Sequence, residues 1–329
     1  MILVTGGAGY VGSVLVRRLL EEKYKVRVYD SLVFGDKSLQ GLDVTIVQGD
    51  IRKFDPGVLE GIDAVIHLAA LSNDPTADYD PKINLEINLL GTMRVAEACR
   101  KKGIKKFLHA SSCSVYHSLP FDDRVWTEDD IVRPIGHYAL SKYLAEEILL
   151  SLEDLAPVIF RQGTIYGVSP RMRYDLVVNT FVKDVYKDNE ITIYNGGKEW
   201  RPLIDVNDVA EAYVFCLKNY SKVSGQVFNL SAKNYRVIDI AEIVRGQIGN
   251  NPKIINVDKK SMVRSYRVST EKLEGLGFKP IHSVISSVST LRNLLQQGKY
   301  ADFDNPIYYN LKWLEKTENA DSAENPLKD

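Results

Sequence analysis

Residues Met1–Lys23, MILVTGGAGYVGSVLVRRLLEEK, decide the fold class. An apolar run is followed by glycines in the spacing G-x-x-G-x-x-G and then by an amphipathic segment, which predicts a strand, a tight turn and a helix. In such a turn Gly6 permits the reversal, Gly9 lets the backbone approach a pyrophosphate, and Gly12 lets the helix pack on the strand. The stretch therefore predicts a phosphate-binding βα unit.

The second strand ends on a carboxylate. The segment KVRVYD places Asp30 at its end, where a carboxylate accepts hydrogen bonds from adenosine ribose hydroxyls and repels a 2′-phosphate. The helix beginning at Tyr10 and Val11 would direct its N-terminus at the phosphates of the same ligand. The pattern predicts NAD rather than NADP. The alternative, that Asp30 only caps a turn, leaves the order of strand, glycines, helix and second strand unexplained.

The first half of the chain alternates Val/Ile/Leu-rich runs with helical segments. This alternation predicts an α/β protein with a doubly wound parallel sheet of the Rossmann type, covered by helices on both faces. We predict an NAD-binding domain over residues 1–168 and a smaller C-terminal α/β substrate lobe over 169–305, with segments near 203–230 returning to the first domain. Residues 306–329 are polar and acidic, which predicts a disordered tail.

Composition narrows the functional class. The 329 residues are 45% hydrophobic and 26% charged, as in ordinary globular proteins, and the net charge of −1 argues against a nucleic-acid partner. Five histidines without ligand-like spacing and three isolated cysteines predict no metal site, no disulfide and a cytoplasmic location. The chain enters a strand at Ile2 and has no long apolar run, so we expect no signal peptide and no membrane span.

Further motifs follow in a fixed order over residues 2–310. They are GDI, HLAA, NLLGT, SSCSVY, YALSK, RQGTIYG, WRPLIDVNDVA, FNLS and RSYRVSTEKLEGLGFKP. With TGGAGYVG and VYD, they make the sequence resemble the extended short-chain dehydrogenase/reductase family, in the nucleotide-sugar epimerase/dehydratase branch that includes UDP-glucose 4-epimerases. The resemblance implies tightly held NAD, a UDP- or dTDP-sugar bound by the second lobe, and a homodimer formed through two helices of each subunit.

The resemblance also completes the cofactor site. Asp50 and Ile51 would lie beside the adenine, and the small residues of HLAA would let the chain pass close to a flat cofactor. Ser111 would face the cofactor through its backbone. The cofactor-binding residues implied in this way are Asp50, Ile51, Leu68, Ala69, Ala70, Asn88 and Ser111, together with Tyr138 and Lys142.

Tyr138 and Lys142 are four residues apart and therefore share a face of a helix. We expect the ammonium and a positively charged nicotinamide to lower the phenol pKa from about 10. The phenolate could then take a proton from a sugar hydroxyl while hydride leaves the same carbon. Among the serines of SSCSVY, the resemblance assigns the catalytic hydroxyl to Ser112 and places Ser114 in the sugar pocket or at a turn.

The two residues after Ser112 limit the reaction. Dehydratases of this branch carry Asp-Glu there, whereas this chain has Cys113 and Ser114, which lack the acid–base power to eliminate water. The first hypothesis is therefore epimerisation at C4 through a transient 4-keto sugar, and the second is an NAD(P)H-dependent 4-keto-sugar reductase. A 4,6-dehydratase and a non-catalytic NAD-binding protein rank behind them, since members of the latter kind lose Tyr or Lys.

The second lobe contributes the implied substrate contacts. Arg201 and Arg264 match positions that bind the diphosphate through charge-assisted hydrogen bonds. The segment that holds Asp175, Leu176 and Asn179 matches one that reaches the phosphates or base. Thr164 stands where hexose 4-epimerases carry Asn, and His117 stands where the family has Gly. These two departures leave the sugar open.

Overall fold

A computed structural model describes residues 1–117, 124–249, 251–258 and 264–319. The strands are β1 (Ile2–Thr5), β2 (Val26–Asp30), β3 (Thr45–Gln48), β4 (Ala64–His67), β5 (Lys106–Ser112), β6 (Val125–Trp126), β7 (Val158–Gln162), β8 (Thr164–Tyr166), β9 (Glu190–Tyr194), β10 (Trp200–Asp205), β11 (Gln226–Leu230), β12 (Lys233–Arg236), β13 (Lys253–Val257) and β14 (Arg267–Val268).

The α-helices are α1 (Tyr10–Glu21), α2 (Asp74–Tyr79), α3 (Pro81–Leu85), α4 (Thr92–Lys101), α5 (His137–Ser151), α6 (Val177–Asp188), α7 (Val206–Lys218), α8 (Tyr220–Val223), α9 (Val237–Ile248), α10 (Glu271–Gly275), α11 (Val284–Gln296) and α12 (Asn310–Asn319). A π-helical segment, Glu86–Gly91, joins α3 to α4. Short 3₁₀ turns connect several of the other elements.

A seven-stranded parallel sheet confirms the predicted fold class. Its strand order is β3-β2-β1-β4-β5-β7-β11, and every neighbouring pair is parallel. Strands β1, β4 and β7 are buried along their whole length, and for that reason they appear in the sequence as continuous apolar runs. The strand order reverses between β1 and β4, which opens a crevice at their carboxyl ends.

Each face of the sheet carries its own apolar core. On one face Leu15 and Leu19 of α1 pack with Val209 and Tyr213 of α7. On the other face the side chains of α4 and α5, among them Val95, pack against the opposite side of the strands. The sheet is therefore doubly wound, as the alternating pattern predicted.

The second lobe has a separate core, formed by α6, α9 and α11 around a three-stranded sheet, β12-β10-β8, and a pair, β13-β9. The segment near 203–230 supplies α7 and β11 to the first domain, and the structure adds Leu273 and Phe278 to the same core. Leu273 and Phe278 are far along the chain from the rest of the first domain, and for that reason composition alone did not predict that they belong to it.

The C-terminal segment differs from the predicted disordered tail. Residues 310–319 form α12, in which Leu314 is buried and the Trp313 indole donates a hydrogen bond to the carbonyl of Val33. The charged residues that surround these two apolar positions mask a narrow amphipathic stripe. Residues 320–329 lie outside the described part of the chain. Among the described helices, none combines the length and apolarity needed to cross a membrane.

Candidate functional site

A cavity of about 430 Å³ lies at the carboxyl ends of the parallel strands, where the second lobe faces the sheet. It brings together most of the residues singled out in the sequence. Those that line it are Gly6, Gly9, Tyr10, Val11, Gly12, Asp30, Asp50, Ile51, Leu68, Ala69, Ala70, Ser111, Ser112, Ser114, Tyr138, Lys142, Thr164, Asp175, Leu176, Arg201 and Arg264.

The glycine turn leaves space that side chains would fill. Gly6 has φ +71°, and a Cβ on it would lie 2.7 Å from the amide nitrogen of Ala69. A Cβ on Gly12 would overlap with the carbonyl oxygen of Gly6. Helix α1 begins after Gly9 without a side-chain cap, so its first amides face the cavity unblocked. This cradle fits a pyrophosphate.

Asp30 is fixed at the wall of the cavity beside the turn. Its Oδ2 accepts a hydrogen bond from the Ala8 amide at 2.9 Å, and its Oδ1 accepts one from the Leu32 amide at 2.8 Å. Burial raises the pKa of this carboxyl, while the two amides and the charge of Arg171 oppose that rise. Each carboxylate oxygen keeps a second lone pair, which fits the hydroxyls of an adenosine ribose.

Asp50 has a structural partner as well as a place at the cavity. It caps the 3₁₀ turn that begins at Ile51 and forms an ion pair with Arg52 at 2.6 Å. The buried Ile51 side chain packs beneath Gly91, where a Cβ would lie 2.8 Å from Ile51 Cδ1. The pair therefore shapes the wall where the resemblance places an adenine.

Two residues predicted to bind ligands lie behind the wall. The Asn88 amide accepts a hydrogen bond from the Leu71 amide and donates one to the Leu71 carbonyl. The Asn179 amide bonds to the backbone of Gly167 and Arg173 and to the Tyr10 hydroxyl. Their polar atoms are engaged in holding the loops that face the cavity, so direct ligand contact by them stays a prediction.

Tyr138 lies in the first turn of α5, opposite Ser112 at the end of β5. Burial raises the pKa of the Tyr138 phenol to about 12, the charge of Asp74 raises it further, and a hydrogen bond with Ser112 lowers it. Arg173 and Arg264 also lower it. Desolvation of the phenol thus outweighs the protein's positive charges around it, and the lowering expected from Lys142 together with a positively charged nicotinamide stays a prediction.

Lys142 follows one turn later on α5 and is only 3% exposed. Its Nζ donates a hydrogen bond to the Ala110 carbonyl at 2.9 Å. Burial lowers the pKa of Lys142 to about 8, and Glu146 opposes that shift. The side chain is thus held at the cavity floor with donor protons still available for a ligand.

A buried ion pair fixes α5 against the sheet. Arg161 of β7 bonds Glu146 at 2.8 Å and the Tyr116 hydroxyl at 2.9 Å. The Ser111 hydroxyl donates to Glu146, and Ser111 also lines the cavity, so contact between its backbone and a cofactor stays a prediction. Because Glu146 lies one turn beyond Lys142, this pair sets the position of the reactive face of α5.

The two residues after Ser112 point in different directions. Cys113 is fully buried, and its Sγ donates to the Arg161 carbonyl at 3.0 Å, away from the cavity. Ser114 lines the cavity, and its buried Oγ has no hydrogen-bond partner within the described ranges. Neither residue offers a carboxylic acid to the cavity, whereas the Ser114 hydroxyl remains open to a ligand.

The second-lobe side of the cavity is built from long charged side chains. Arg264 forms an ion pair with Asp74 at 2.5 Å, and Arg173 forms one with Asp175 at 2.7 Å. The Arg201 guanidinium is held by the carbonyls of Trp200 and Arg264. Two acids and three guanidinium groups thus meet where the sequence analysis had identified only Asp175, Arg201 and Arg264.

Sequence reasoning missed Asp74, Arg171 and Arg173. Asp74 precedes a proline at a helix start and therefore has the pattern of an ordinary cap. Arg171 and Arg173 lie on either side of Met172 in the loop SPRMRYD. Two arginines so placed in a loop suggest solvent-exposed side chains, yet both are largely buried. The sequence did contain one indication of this ion pair, because Asp175 follows Arg173 by two residues and can reach its guanidinium.

Known proteins resemble this chain along most of its length. A family model described as the NAD dependent epimerase/dehydratase family matches residues 2–231. A putative UDP-glucose 4-epimerase of Methanocaldococcus jannaschii is 31% identical over 294 residues, covering 85% of this chain and 93% of the relative. A UDP-N-acetyl-alpha-D-glucosaminuronate decarboxylase of Bacillus cytotoxicus is 27% identical over 333 aligned positions, covering 96% and 98%.

Solved structures agree with the sequence relatives. The UDP-glucuronic acid 4-epimerase of Bacillus cereus, in complex with UDP-glucuronic acid and NAD, is 25% identical to this chain with a TM-score of 0.81. The superposition covers 90% of this chain and 99% of that one. The relatives thus include both epimerases and a decarboxylase.

Proposed function

The chain belongs to the NAD dependent epimerase/dehydratase family, and on that premise we propose that it inverts C4 of a UDP- or dTDP-linked hexose. The family predicted from the motifs is confirmed, and with it an NAD-dependent enzyme of the extended short-chain type. The relatives differ in reaction, so the step catalysed here is argued from the cavity.

The observation that carries the proposal is the pairing of Tyr138 and Ser112 in a cavity where the positions after Ser112 hold no acid. The Cys113 thiol is turned away and Ser114 offers only a hydroxyl. Proton transfer to and from one sugar oxygen needs a single acid–base group, whereas elimination of water needs additional acid–base groups for the leaving hydroxyl and a neighbouring carbon. The residues present suit oxidation and reduction at one carbon.

In this mechanism Tyr138 takes the proton of the C4 hydroxyl and later returns it. Ser112 would hold the same oxygen for the phenol, and Lys142 would hold the ribose of the cofactor. When bound, NAD would supply the positive charge that favours the phenolate and the acceptor for the C4 hydride. Inversion requires the 4-keto sugar to present its other face before Tyr138 gives the proton back.

The distribution of charge supports a firm grip on the diphosphate and a loose one on the sugar. Arg201 and Arg264 lie on the second-lobe side of the cavity and supply charge-assisted donors. The small hydroxyls of Ser114 and Thr164 also line the cavity, and the Asp74 carboxylate that acts on the Tyr138 phenol is paired with Arg264. A sugar anchored through its diphosphate can turn among such groups.

The test is turnover of sugar nucleotides by the purified protein with no added cofactor. UDP-glucose, UDP-galactose, the corresponding dTDP-sugars and UDP-glucuronic acid are incubated singly, and products are separated by chromatography. We expect one pair of C4 epimers to interconvert. Release of CO₂ from UDP-glucuronic acid, or turnover of a 4-keto sugar only with added NADH or NADPH, would replace the proposal with a decarboxylase or a reductase.

We propose a homodimer formed through α4, α5 and the π-helical segment. Apolar side chains are exposed at Leu85 at the end of α3, Leu90 in the π-helical segment and Met93 in α4, and at Leu140 and Leu150 in α5. Such a surface suits a four-helix contact between two copies. A cytoplasmic location agrees with three buried, unpaired thiols. Light scattering of the wild type and of Leu140→Glu tests the dimer.

A further inference from the structure

We propose that α12 is part of the NAD site and closes its adenosine half, so that release of the cofactor requires this helix to move. The proposal deepens the proposed function and rests on it, because an epimerase that takes up and returns one hydride needs its cofactor to stay bound through the whole cycle.

Hydrogen bonds from two residues of α12 fix its position over the sheet. Its first residue, Asn310, donates from Nδ2 to the Ser72 hydroxyl at 2.9 Å, beyond the end of β4. Trp313, one turn later, donates from Nε1 to the Val33 carbonyl at 2.6 Å, beyond the end of β2. In the sheet β1 lies between β2 and β4. The helix therefore crosses the glycine turn that follows β1.

Apolar side chains of α12 pack on the cofactor side of the cavity. Leu314 lines the cavity, is 5% exposed and belongs to the same apolar cluster as Tyr29 and Ile51. Tyr29 and Ile51 flank the acidic residues at the ends of β2 and β3. Phe34 lies 6.2 Å from the Trp313 ring and stacks under the Arg171 guanidinium at 3.7 Å. This layer covers the region that the adenosine would occupy.

A third set of contacts joins α12 to the second lobe. The backbone amide of Asn310 donates to the Asp175 carboxylate at 3.1 Å, and Arg171 donates to the side-chain oxygen of Asn310 at 2.7 Å. Asp175 is the partner of Arg173, which also donates to the Ser72 hydroxyl. The helix is thus tied to both lobes at its first residue, and a ligand beneath it cannot leave without breaking contacts on one side.

The experiment measures cofactor retention directly. Wild type, Trp313→Ala, Leu314→Ala and the control Lys312→Ala, an exposed position of the same helix, are purified and their NAD content is assayed after denaturation. Release is then followed after each protein is loaded with labelled NAD and diluted into unlabelled NAD. We expect Trp313→Ala and Leu314→Ala to release NAD about tenfold faster or more, a change that corresponds to about 1.4 kcal/mol, and Lys312→Ala to match the wild type.

Circular dichroism and thermal unfolding of NAD-saturated protein show whether each variant is folded. Trp313→Phe keeps an aromatic ring while removing the indole N–H and its five-membered ring, so it gives an intermediate rate if α12 acts as proposed and remains folded where alanine does not. Release from the folded variants at the wild-type rate would overturn the role of α12. That result would leave the epimerase proposal standing, because epimerase turnover is measured separately in the wild type.

Discussion

The cavity has two halves that are built by different means. The cofactor half, formed by the glycine turn, Asp30 and Asp50 at the ends of β1–β3, is shaped by backbone atoms and short side chains. The substrate half, formed by Asp74, Arg173, Arg201 and Arg264 beside Tyr138, is shaped by long side chains in ion pairs. Backbone geometry tolerates little change, whereas a paired side chain can exchange its partner for a ligand. The first half is therefore suited to permanent occupancy and the second to turnover.

Removal of the phenol should separate the two halves most strongly. Tyr138→Phe deletes the group that carries the proton, so we expect kcat to fall by about 10²–10⁴-fold, the usual contribution of a general acid–base. NAD content should remain that of the wild type because the cofactor half is unchanged. Tyr143→Phe, on the same helix but outside the cavity lining, is the control and should retain activity. Normal turnover by Tyr138→Phe would exclude the assigned base.

Lowering the pH should reduce the stability of the cofactor half before that of the substrate half. His67 and His109 stack at 5.5 Å beneath it, and burial lowers the pKa of His67 to about 3 and that of His109 well below its usual value. The unfolded chain therefore binds more protons than the folded one below about pH 6.5, and stability present above that pH is lost as the pH falls.

We expect the free energy of unfolding to drop by about 4 kcal/mol in total between pH 7 and pH 5, at up to about 1.4 kcal/mol per pH unit for each histidine. In the substrate half burial raises the pKa of Asp175, but Arg173 lowers it more, and the net pKa is lowered. Its contribution is lost only below about pH 4. Urea titrations at several pH values measure the slope. His109→Phe should flatten it, and an unchanged slope would contradict the assignment.

A methyl group at the glycine turn should test the rigidity of the cofactor half. Gly12→Ala places Cβ against the Gly6 carbonyl, and relieving such overlap costs about 1–3 kcal/mol. We expect affinity for NAD to weaken about 10- to 100-fold, measured by calorimetry. Gly246→Ala, in α9 with open space around its Cβ, is the matched control and should leave affinity unchanged. Equal affinities for NAD in the two variants would show that the glycine turn adjusts to the added methyl group and is not rigid.

Neutralising Asp74 should have the smallest effect and should act on the substrate half alone. Asp74→Asn frees Arg264 from its charged partner, so we expect UDP to bind about three- to tenfold more tightly, a gain of about 0.7–1.4 kcal/mol that is in the range of one ordinary hydrogen bond. The change also removes a charge that raises the pKa of Tyr138, which shifts the rise of kcat with pH to lower pH. Asp78→Asn, on the exposed side of α2, is the control. Weaker UDP binding in Asp74→Asn would show that Asp74 positions Arg264 instead.

The sequence was most informative where the backbone carries the site. Glycine spacing and the position of Asp30 predicted a turn and a carboxylate that the structure brings to one crevice, because each depends on contacts within about thirty residues of chain. The parallel sheet followed from the same local pattern. The motif positions of Ser112, Tyr138 and Lys142 likewise led to residues that line the cavity.

The rest depends on contacts between distant segments. The pairing of Asp74 with Arg264 and the hydrogen bond from Trp313 to Val33 join residues that no local pattern connects. Burial raises the pKa of Tyr138, whereas the sequence showed only the neighbouring charges, such as that of Lys142, because the burial of the phenol depends on how the second lobe covers it. A sequence records which charges exist, while desolvation is a property of the assembled fold.

The hydrogen bond from Trp313 to Val33 also sets an order of events during synthesis. Its two residues are 280 positions apart, a distance that a ribosome covers in roughly 14–56 s at about 5–20 residues per second. During that interval the glycine turn and the first strands have been made and leave the exit tunnel, while α12 does not yet exist. If α12 covers the cofactor as proposed, the crevice of the nascent chain stays uncovered until α12 is made, which leaves a period in which NAD could enter.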